Sequence, residues 1–398
     1  MSTVVLPAAA WREATGLARV VAALGGSADT VRYVGGAVRD TLLGLPVTDV
    51  DLATPLRPEM VVARLEASGI KAVPTGIAHG TVTAVADGRP YEVTTLRRDV
   101  ETDGRRATIA FADDWQEDAA RRDFTINALY VDPASGAIFD WFGGLDDLAV
   151  RRVRFIGDAG QRIDEDHLRM LRYFRFLARF GAMEQGGAGD ADMLAVIAGR
   201  AAKLRSLSRE RIADELIKLL GVADPVPALR LMLDCGLFAH IAPEIDADAA
   251  ARVAQLVTGE TAIDPALRLI ALLPPDAAMA DQIAAKLKLS NRLRRRLAVA
   301  RGQDWPGLAP RPLAYRIGME GALDRASLAG NGAAMRAALD GWMPPQLPMS
   351  GGALIAMGLT EGPAVARTLR TVEDQWVIEG FPDKARVQAI AAALINAR

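Results

Sequence analysis

Along the first 150 or so residues the apolar positions come in short alternating runs, and beyond about 160 they recur at every third or fourth place. Alternation at 47–52, 81–86 and 91–96 predicts strands, and the apolar run 31–34, stopped by Gly35-Gly36, predicts another. Helical periodicity marks 11–24 and 58–68, and 38–43 reads as a helical turn or two ended by Gly44 and Pro46. The turn signal Gly88-Arg89-Pro90 predicts a hairpin between the last two strands. Strands separated by helices imply an α/β unit. In the second part, 164–180, 208–221, 225–235, 247–257, 264–273, 279–288, 291–302 and 385–397 all read as helices. Pro225, Pro243, Pro274-Pro275, Pro306 and Pro344-Pro345 break them. The prediction is an α/β part followed by an all-helical part of several subdomains, with a last boundary in the Pro/Gly-rich stretch 343–352.

Composition narrows the setting. A chain of 398 residues makes two or more domains, and 51% apolar with 24% charged residues describes a folded, water-soluble chain. With a net charge of -2, any nucleic-acid surface must be a local basic patch. The single cysteine, Cys235, excludes a disulfide framework and any zinc site of several thiolates. No basic region followed by an apolar run opens the chain, and no stretch is long enough to span a membrane. The expected location is the cytoplasm, with no membrane contact and no protein partner implied.

Asp49 and Asp51 stand two apart in the predicted strand 47–52, so both side chains take one face and Val50 and Leu52 the other. Two neighbouring carboxylates repel unless a cation lies between them, and Mg²⁺ is a natural partner. Such ions clamp the attacking and leaving oxygens of phosphoryl transfer. Read alone, Asp-x-Asp is a solvated strand end. Here it follows Gly35-Gly36 and Arg39 in one short unit. Glycines let backbone N–H groups approach a phosphate, and Arg39 can grip a triphosphate oxygen. Together these features favour a nucleotide-triphosphate site. Glu92 points away from the Tyr91/Val93 face and either completes the metal site or is simply an outward strand residue. There is no P-loop signature. His79, His167 and His240 are too scattered for a histidine-rich metal site.

In the predicted helix 164–180, Asp166, Arg169, Arg172 and Arg175 form an oblique row beside an apolar stripe of Leu168, Leu171, Phe174 and Leu177. One reading is a solvated basic face. The other starts from hydrogen bonding, since Asp only accepts and Arg only donates. Set one turn apart, Asp166 and Arg169 match the donor and acceptor edge of cytosine or adenine and oppose that of uracil or guanine. The same matching governs side-chain reading of bases in DNA. Arg172 and Arg175 would then neutralise phosphates or orient Arg169.

These stretches resemble the nucleotidyltransferase family that contains tRNA CCA-adding enzymes and bacterial poly(A) polymerases, in its class II branch. The resemblance is strong from about residue 30 to 235. Val34-Gly35-Gly36-Ala37-Val38-Arg39-Asp40 with Asp49-x-Asp51 matches the first motif of the family. Arg121-Arg122-Asp123-Phe124-Thr125-Ile126-Asn127-Ala128-Leu129 matches the second, in which the family uses the positions of Arg122, Asp123 and Asn127 to hold sugar and phosphates. Asp140-Trp141-Phe142-Gly143-Gly144 matches a hinge-like third, and Glu165-Asp166-His167-Leu168-Arg169 matches the base-choosing fourth. Ser208-Arg209-Glu210-Arg211 resembles a further neck segment. Four motifs in order are highly specific.

The resemblance implies a polymerase-beta-like mixed sheet in a nucleotidyltransferase head (1–150), then a helical neck (151–222), body (223–342) and RNA-binding tail (343–398). It implies addition of C, C and A to tRNA 3′ ends from CTP and ATP, with Mg²⁺ on Asp49 and Asp51 and the tRNA acceptor arm as partner. The stretch 97–118, with Asp103-Gly104, fits the family's flexible loop. The basic run 286–296 is either a site of RNA-backbone contacts or a solvated helix face. Three other assignments compete: a poly(A) polymerase, a CC-only or A-only enzyme, and a catalytically silent RNA-binding protein. The last would be expected to have lost Asp49 or Asp51, and both are present.

Overall fold

The computed structural model describes residues 4–77, 80–102, 107–181, 190–359 and 362–397. His79, Asp103 and Gly104 lie outside the described residues. The chain forms two compact units, Met1–Ile241 and Ala242–Arg398.

The first unit carries the strands β1 (Arg32–Val34), β2 (Asp51–Thr54), β3 (Lys71–Gly76), β4 (Thr81–Ala86), β5 (Arg89–Thr95), β6 (Arg97–Thr102), β7 (Ala107–Phe111), β8 (Tyr130–Val131) and β9 (Ile138–Phe139). Seven of them make one sheet in the order β3-β4-β5-β2-β1-β8-β9, and β6 with β7 makes a separate hairpin. The β2–β5 pairing is parallel and the other pairings are antiparallel, so the sheet is mixed, as expected. Helices of this unit are α1 (Thr15–Ala23), α2 (Gly36–Leu42), α3 (Pro58–Ala67), α4 (Trp115–Ala120), α5 (Gly144–Ala149), α6 (Ala159–Glu165), α7 (Arg169–Phe180), α8 (Ala191–Ala198), α9 (Arg209–Leu220), α10 (Val226–Asp234) and α11 (Phe238–Ile241). The second unit is helical throughout its assigned elements: α12 (Ala249–Gly259), α13 (Pro265–Leu272), α14 (Ala277–Lys286), α15 (Asn291–Arg301), α16 (Pro310–Leu328), α17 (Gly332–Leu339), α18 (Gly351–Ala356), α19 (Gly362–Ile378) and α20 (Lys384–Asn396). Trp376, Val372, Val387 and Leu354 centre its C-terminal core.

Four local expectations change. The strand expected at 47–52 begins only at Asp51, because its antiparallel neighbour β1 ends with the pair Val34↔Asp51 and turns away at Gly35. Asp49 therefore precedes the strand. The hairpin turn is Asp87-Gly88, both with positive φ of 51° and 75°. That backbone matches the twist of the flanking strands, and Arg89 and Pro90 belong to β5. Within the stretch expected to be a loop, Arg97–Thr102 and Ala107–Phe111 supply β6 and β7, and α4 follows. The single helix expected at 164–180 is two helices broken at Asp166, which is extended (φ −150°, ψ 106°). Its carboxylate accepts the Leu168 N–H at 3.1 Å. Short acids compete in this way with the helical ladder.

Helix α7 buries Met170, Leu171, Tyr173, Phe174, Phe176, Leu177 and Phe180. Phe176 meets Phe124 edge-on at 5.0 Å, and Phe124 stacks on Phe155 at 4.7 Å. This aromatic seam fixes residues 121–127 against the helices. Gly144 starts α5 against the same segment: a Cβ there would stand 2.4 Å from the Thr125 carbonyl oxygen. Gly144→Ala is expected to lower stability by about 1–3 kcal/mol through overpacking. Thermal or urea unfolding checks it, and an unchanged midpoint would show that the contact relaxes freely.

Candidate active site

Val34, Asp51 and Glu92 lie in one row across the sheet, paired Val34↔Asp51 and Asp51↔Glu92. Directly after Val34 the chain turns at Gly35 (φ 74°, ψ −126°), a conformation that needs glycine. A Cβ at Gly35 would stand 3.5 Å from Arg122 Nη1 and 3.8 Å from Asp51 Oδ2, so Gly35, Asp51 and Arg122 enclose one spot. Gly36 opens α2 beside the guanidinium of Arg39. Asp49 is exposed and accepts the Thr48 hydroxyl at 3.0 Å.

Burial pushes the Asp51 carboxyl above its ordinary pKa, the Glu92 charge adds to this, Arg122 opposes it, and Asp49 adds a little more. This uncompensated negative charge is what a divalent cation with oxygen ligands would relieve. Among the described residues, no group of three or more Asp, Glu, His or Cys side chains is arranged to hold an ion by itself. Asp49 and Asp51 can supply two carboxylates, and phosphates and water would complete the shell. Glu92 is exposed beside Asp51.

Behind this spot runs a buried string of alternating charge. Arg39 is 6% exposed. Its Nε donates to Asp40 at 2.8 Å, its Nη1 donates to Asn127 Oδ1, and it lies 4.2 Å over the Phe180 ring. Burial lowers the Arg39 pKa, and Asp40 opposes the shift. Asn127 Nδ2 donates to Asp123 at 3.0 Å. Arg172 Nε donates to Asp123 at 2.8 Å. Glu215 of α9, 3% exposed, takes Arg175 at 2.7 Å and lies 3.9 Å from Arg172. Burial opposes ionisation of Asp123, yet Arg172 and Asn127 hold its carboxyl below the usual range. Arg39, expected to grip a phosphate, has its guanidinium engaged by Asp40 and Asn127. Arg172 and Arg175 are likewise engaged by carboxylates.

Asp166 sits at the helix break, outside the row it was expected to form. Arg211 Nη2 donates to both of its oxygens, at 3.1 and 2.9 Å. Arg169 donates from Nη1 to Glu165 Oε2 at 2.5 Å and to the Arg162 carbonyl at 2.9 Å. Each member of the expected base-reading pair thus has its own holder.

The profile described as "Poly A polymerase head domain" matches residues 31–154, and "Probable RNA and SrmB- binding site of polymerase A" matches residues 190–248. The mitochondrial CCA tRNA nucleotidyltransferase 1 of Mus musculus is 44% identical over 212 residues, 53% of this chain and 48% of that protein. A CCA-adding enzyme of Geobacillus stearothermophilus is 41% identical over 211 residues, 52% of this chain and 50% of that one. In these sequence matches the chain spans about half the length of its relatives. The crystal structure of the Bacillus stearothermophilus CCA-adding enzyme in complex with CTP superposes with a TM-score of 0.77 at 28% identity, covering 96% of this chain and 98% of that one. Over the two profile-matched regions the chain is similar to the head and RNA-binding parts of the poly(A) polymerase family. A Thermotoga maritima CCA-adding enzyme complexed with tRNA shares the fold, with a TM-score of 0.66 at 19% identity over 95% and 94% of the two chains.

This family generally uses a divalent metal. The head match contains Gly35 through Asp51, Glu92 and Arg122 through Asn127, while Asp166 and Arg169 fall between the two matched regions. Among the described residues no helix is long and apolar enough to cross a membrane. Residue-by-residue reading missed Asp118, Tyr130, Glu165, Arg211 and Glu215 as parts of the site. Only Glu215 left a clear trace: a carboxylate on the apolar face of its helix, between Ile212 and Leu219.

The depressed Asp123 pKa gives a pH signature. Its contribution to stability is full above the unfolded value of about 4 and is lost as pH falls through the lower folded value. Asp123→Asn should therefore cost about 1–3 kcal/mol at pH 7, between an exposed and a buried pair. Its deficit should shrink in acid. Urea midpoints measured from pH 7 downward test this, and a deficit that stays constant with pH would disprove the ion-pair origin.

Proposed function

We propose that this protein is a template-independent RNA nucleotidyltransferase that adds C, C and A to tRNA 3′ ends from CTP and ATP and releases pyrophosphate. The observation that carries the reading is the enclosure of one spot by the Gly35 turn, the Asp51 carboxylate and Arg122 Nη1. It is supported by relatives called CCA-adding enzymes and by a structural neighbour that binds CTP. The setting proposed is the cytoplasm, although the mouse relative is named as mitochondrial.

Asp49 and Asp51 would hold Mg²⁺, which when bound neutralises charge on the leaving group and lowers the pKa of the attacking hydroxyl. The Gly35-Gly36 backbone lets the triphosphate come close, and Arg122 meets it with a fixed cation. The RNA 3′-hydroxyl attacks the α-phosphate in line with the departing pyrophosphate. Arg39 acts from behind: with Asn127 and Asp123 it fixes the floor of the site. Asp166 and Arg169, held by Arg211 and Glu165, offer an acceptor and a donor to the base edge. Residues 1–150 serve as catalytic head, 151–222 as neck and 223–342 as body, with the tail (343–398) binding the acceptor arm. In the basic run, Lys286 pairs with Glu244, Arg294 with Asp281, and Arg296 with Asp264 and Asp324. Arg292 and Arg295 are exposed without an ion pair among the described residues, so they are the part of that run proposed to meet RNA phosphates.

Purified protein with Mg²⁺ and tRNA transcripts ending before CCA, after C and after CC should yield 3′ ends that finish in CCA and stop. Long A tails, or C or A alone, would move the assignment to a poly(A) polymerase or a partial-specificity enzyme. Asp49→Ala should abolish incorporation while tRNA binding persists; lost tRNA binding would argue against a purely catalytic role. Arg169→Ala should blur the choice among the four nucleotides, and unchanged selectivity would remove Arg169 from base choice.

A further inference from the structure

Two of the three guanidinium nitrogens of Arg122 face protein partners. Nε donates to the Tyr130 hydroxyl at 2.8 Å, and Nη2 lies 3.5 Å from Asp118 Oδ2. The third, Nη1, is the one nearest the Gly35 turn. Asp118 is 2% exposed. Its Oδ2 also accepts the Tyr130 hydroxyl at 2.5 Å, while its Oδ1 accepts the backbone N–H of Arg97 at 3.0 Å. Arg97 is the first residue of β6, so the hairpin starts on the same carboxylate that orients Arg122. Tyr130 in turn pairs with Val34, the residue before Gly35, and lies edge-on to Trp115 and Trp141. One buried acid therefore connects three things: the cation at the site, the strand leading into the glycine turn, and the root of the β6–β7 hairpin.

We infer that Asp118 is a positioning residue: with Tyr130 it aims Arg122 at the triphosphate, and through the Arg97 N–H it couples the hairpin root to that aim. The inference rests on reading the Gly35–Asp51 spot as a nucleotide site. A carboxylate suits the task because it only accepts and can serve several donors at once. Asparagine would keep one acceptor but turn an amide donor toward Arg122 or Tyr130. If Asp118 were merely a buried counter-charge, its loss would cost stability and leave triphosphate recognition alone.

The test uses the full chain with a tRNA transcript ending in CC and ATP as the nucleotide. Asp118→Asn should raise KM for ATP about tenfold, the scale of one hydrogen bond to a charged group. The inhibition constant for inorganic pyrophosphate should rise in parallel, with kcat lowered less than about threefold and KM for RNA unchanged. Tyr130→Phe should act in the same direction, by about threefold. Arg97→Pro removes the N–H at a strand start, where proline is tolerated, and should also raise KM about threefold. If Asp118→Asn and Tyr130→Phe lower only the melting temperature and leave KM and pyrophosphate inhibition unchanged, the positioning role is wrong. If Arg97→Pro alone is silent, the hairpin coupling is wrong. Should the wild type incorporate no nucleotide, the functional reading fails first. Calorimetry of pyrophosphate binding to wild type and Asp118→Asn then judges the aim of Arg122 separately: weaker binding by the variant supports it, and equal or absent binding overturns it.

Discussion

The first unit depends on a guanidinium placed where water scarcely reaches. Arg39 sits within α2, the helix that follows the chain's first sheet-to-helix turn, and burying its charge is tolerable only if acceptors meet it there. Asp40 and Asn127 do so. Asn127 is fixed in turn by Asp123, Asp123 is neutralised by Arg172, and Arg172 shares Glu215 with Arg175. The string thus runs from α2 through residues 123–127 to α7 and α9. Arg39 lies over Phe180, and Arg175 lies 4.4 Å over Phe176, so apolar packing and charge pairing act on the same elements. Deleting one member leaves another buried charge without its partner, which costs more than the pair contributes. Such a network is poor evidence for high stability. It is good evidence that the relative positions of these elements are fixed.

The front of the site has the opposite electrostatics. Asp51, Glu92 and Asp49 crowd negative charge where the start of β2 meets β5 in the middle of the sheet, and Arg122 is the cation whose pull on Asp51 is felt there. Charge is balanced behind and unbalanced in front. An arrangement of this kind binds a cation and polyanion together better than either alone, because each relieves the repulsion felt by the other. The tight join between β1 and α2 has its physical reason here. Val34 is paired with Asp51, so the first residue after it, Gly35, is delivered to the edge of the acid cluster.

Legibility followed the range of the interactions. Local signals were reliable: the glycine turn, the strand at 81–86 and the helices at 208–221 and 291–302 lie where periodicity puts them. The order of an α/β part before a helical part came from periodicity, and the mixed sheet came with the family resemblance. Failures came where a distant partner decides. Asp51 starts its strand because β1 turns away, and nothing within 47–52 announces that. The place of Glu92 beside Asp51 follows from parallel pairing of β2 with β5, which are separated by two other strands in sequence. Asp118 and Tyr130 are ordinary residues in their own segments and become informative only when Arg122 lies between them. Arg39 illustrates the converse. Its position in the motif was legible, but its burial was not, so a reader of sequence gives it a phosphate when the structure gives it Asn127.

The break at Asp166 changes how base choice would work on the proposed reading. Had Asp166 and Arg169 shared one helix, their separation would be set by helix geometry and would resist influence from elsewhere. Off the helix, the Asp166 carboxylate takes its position from Arg211 of α9, and Arg169 takes its position from Glu165 at the end of α6. Three helices therefore decide the spacing of an acceptor and a donor that must match a base edge to within a few tenths of an ångström. Helix α7 and helix α9 are the same two that Glu215 ties to the Arg39 string. On that reading the floor of the proposed triphosphate site and the spacing of the proposed base-reading pair share their supports, so a small shift between α7 and α9 would reach both. A pair carried on separate elements can also be re-spaced without unwinding a helix. That is the mechanical requirement for one protein pocket to accept first one base and then another with no nucleic-acid template.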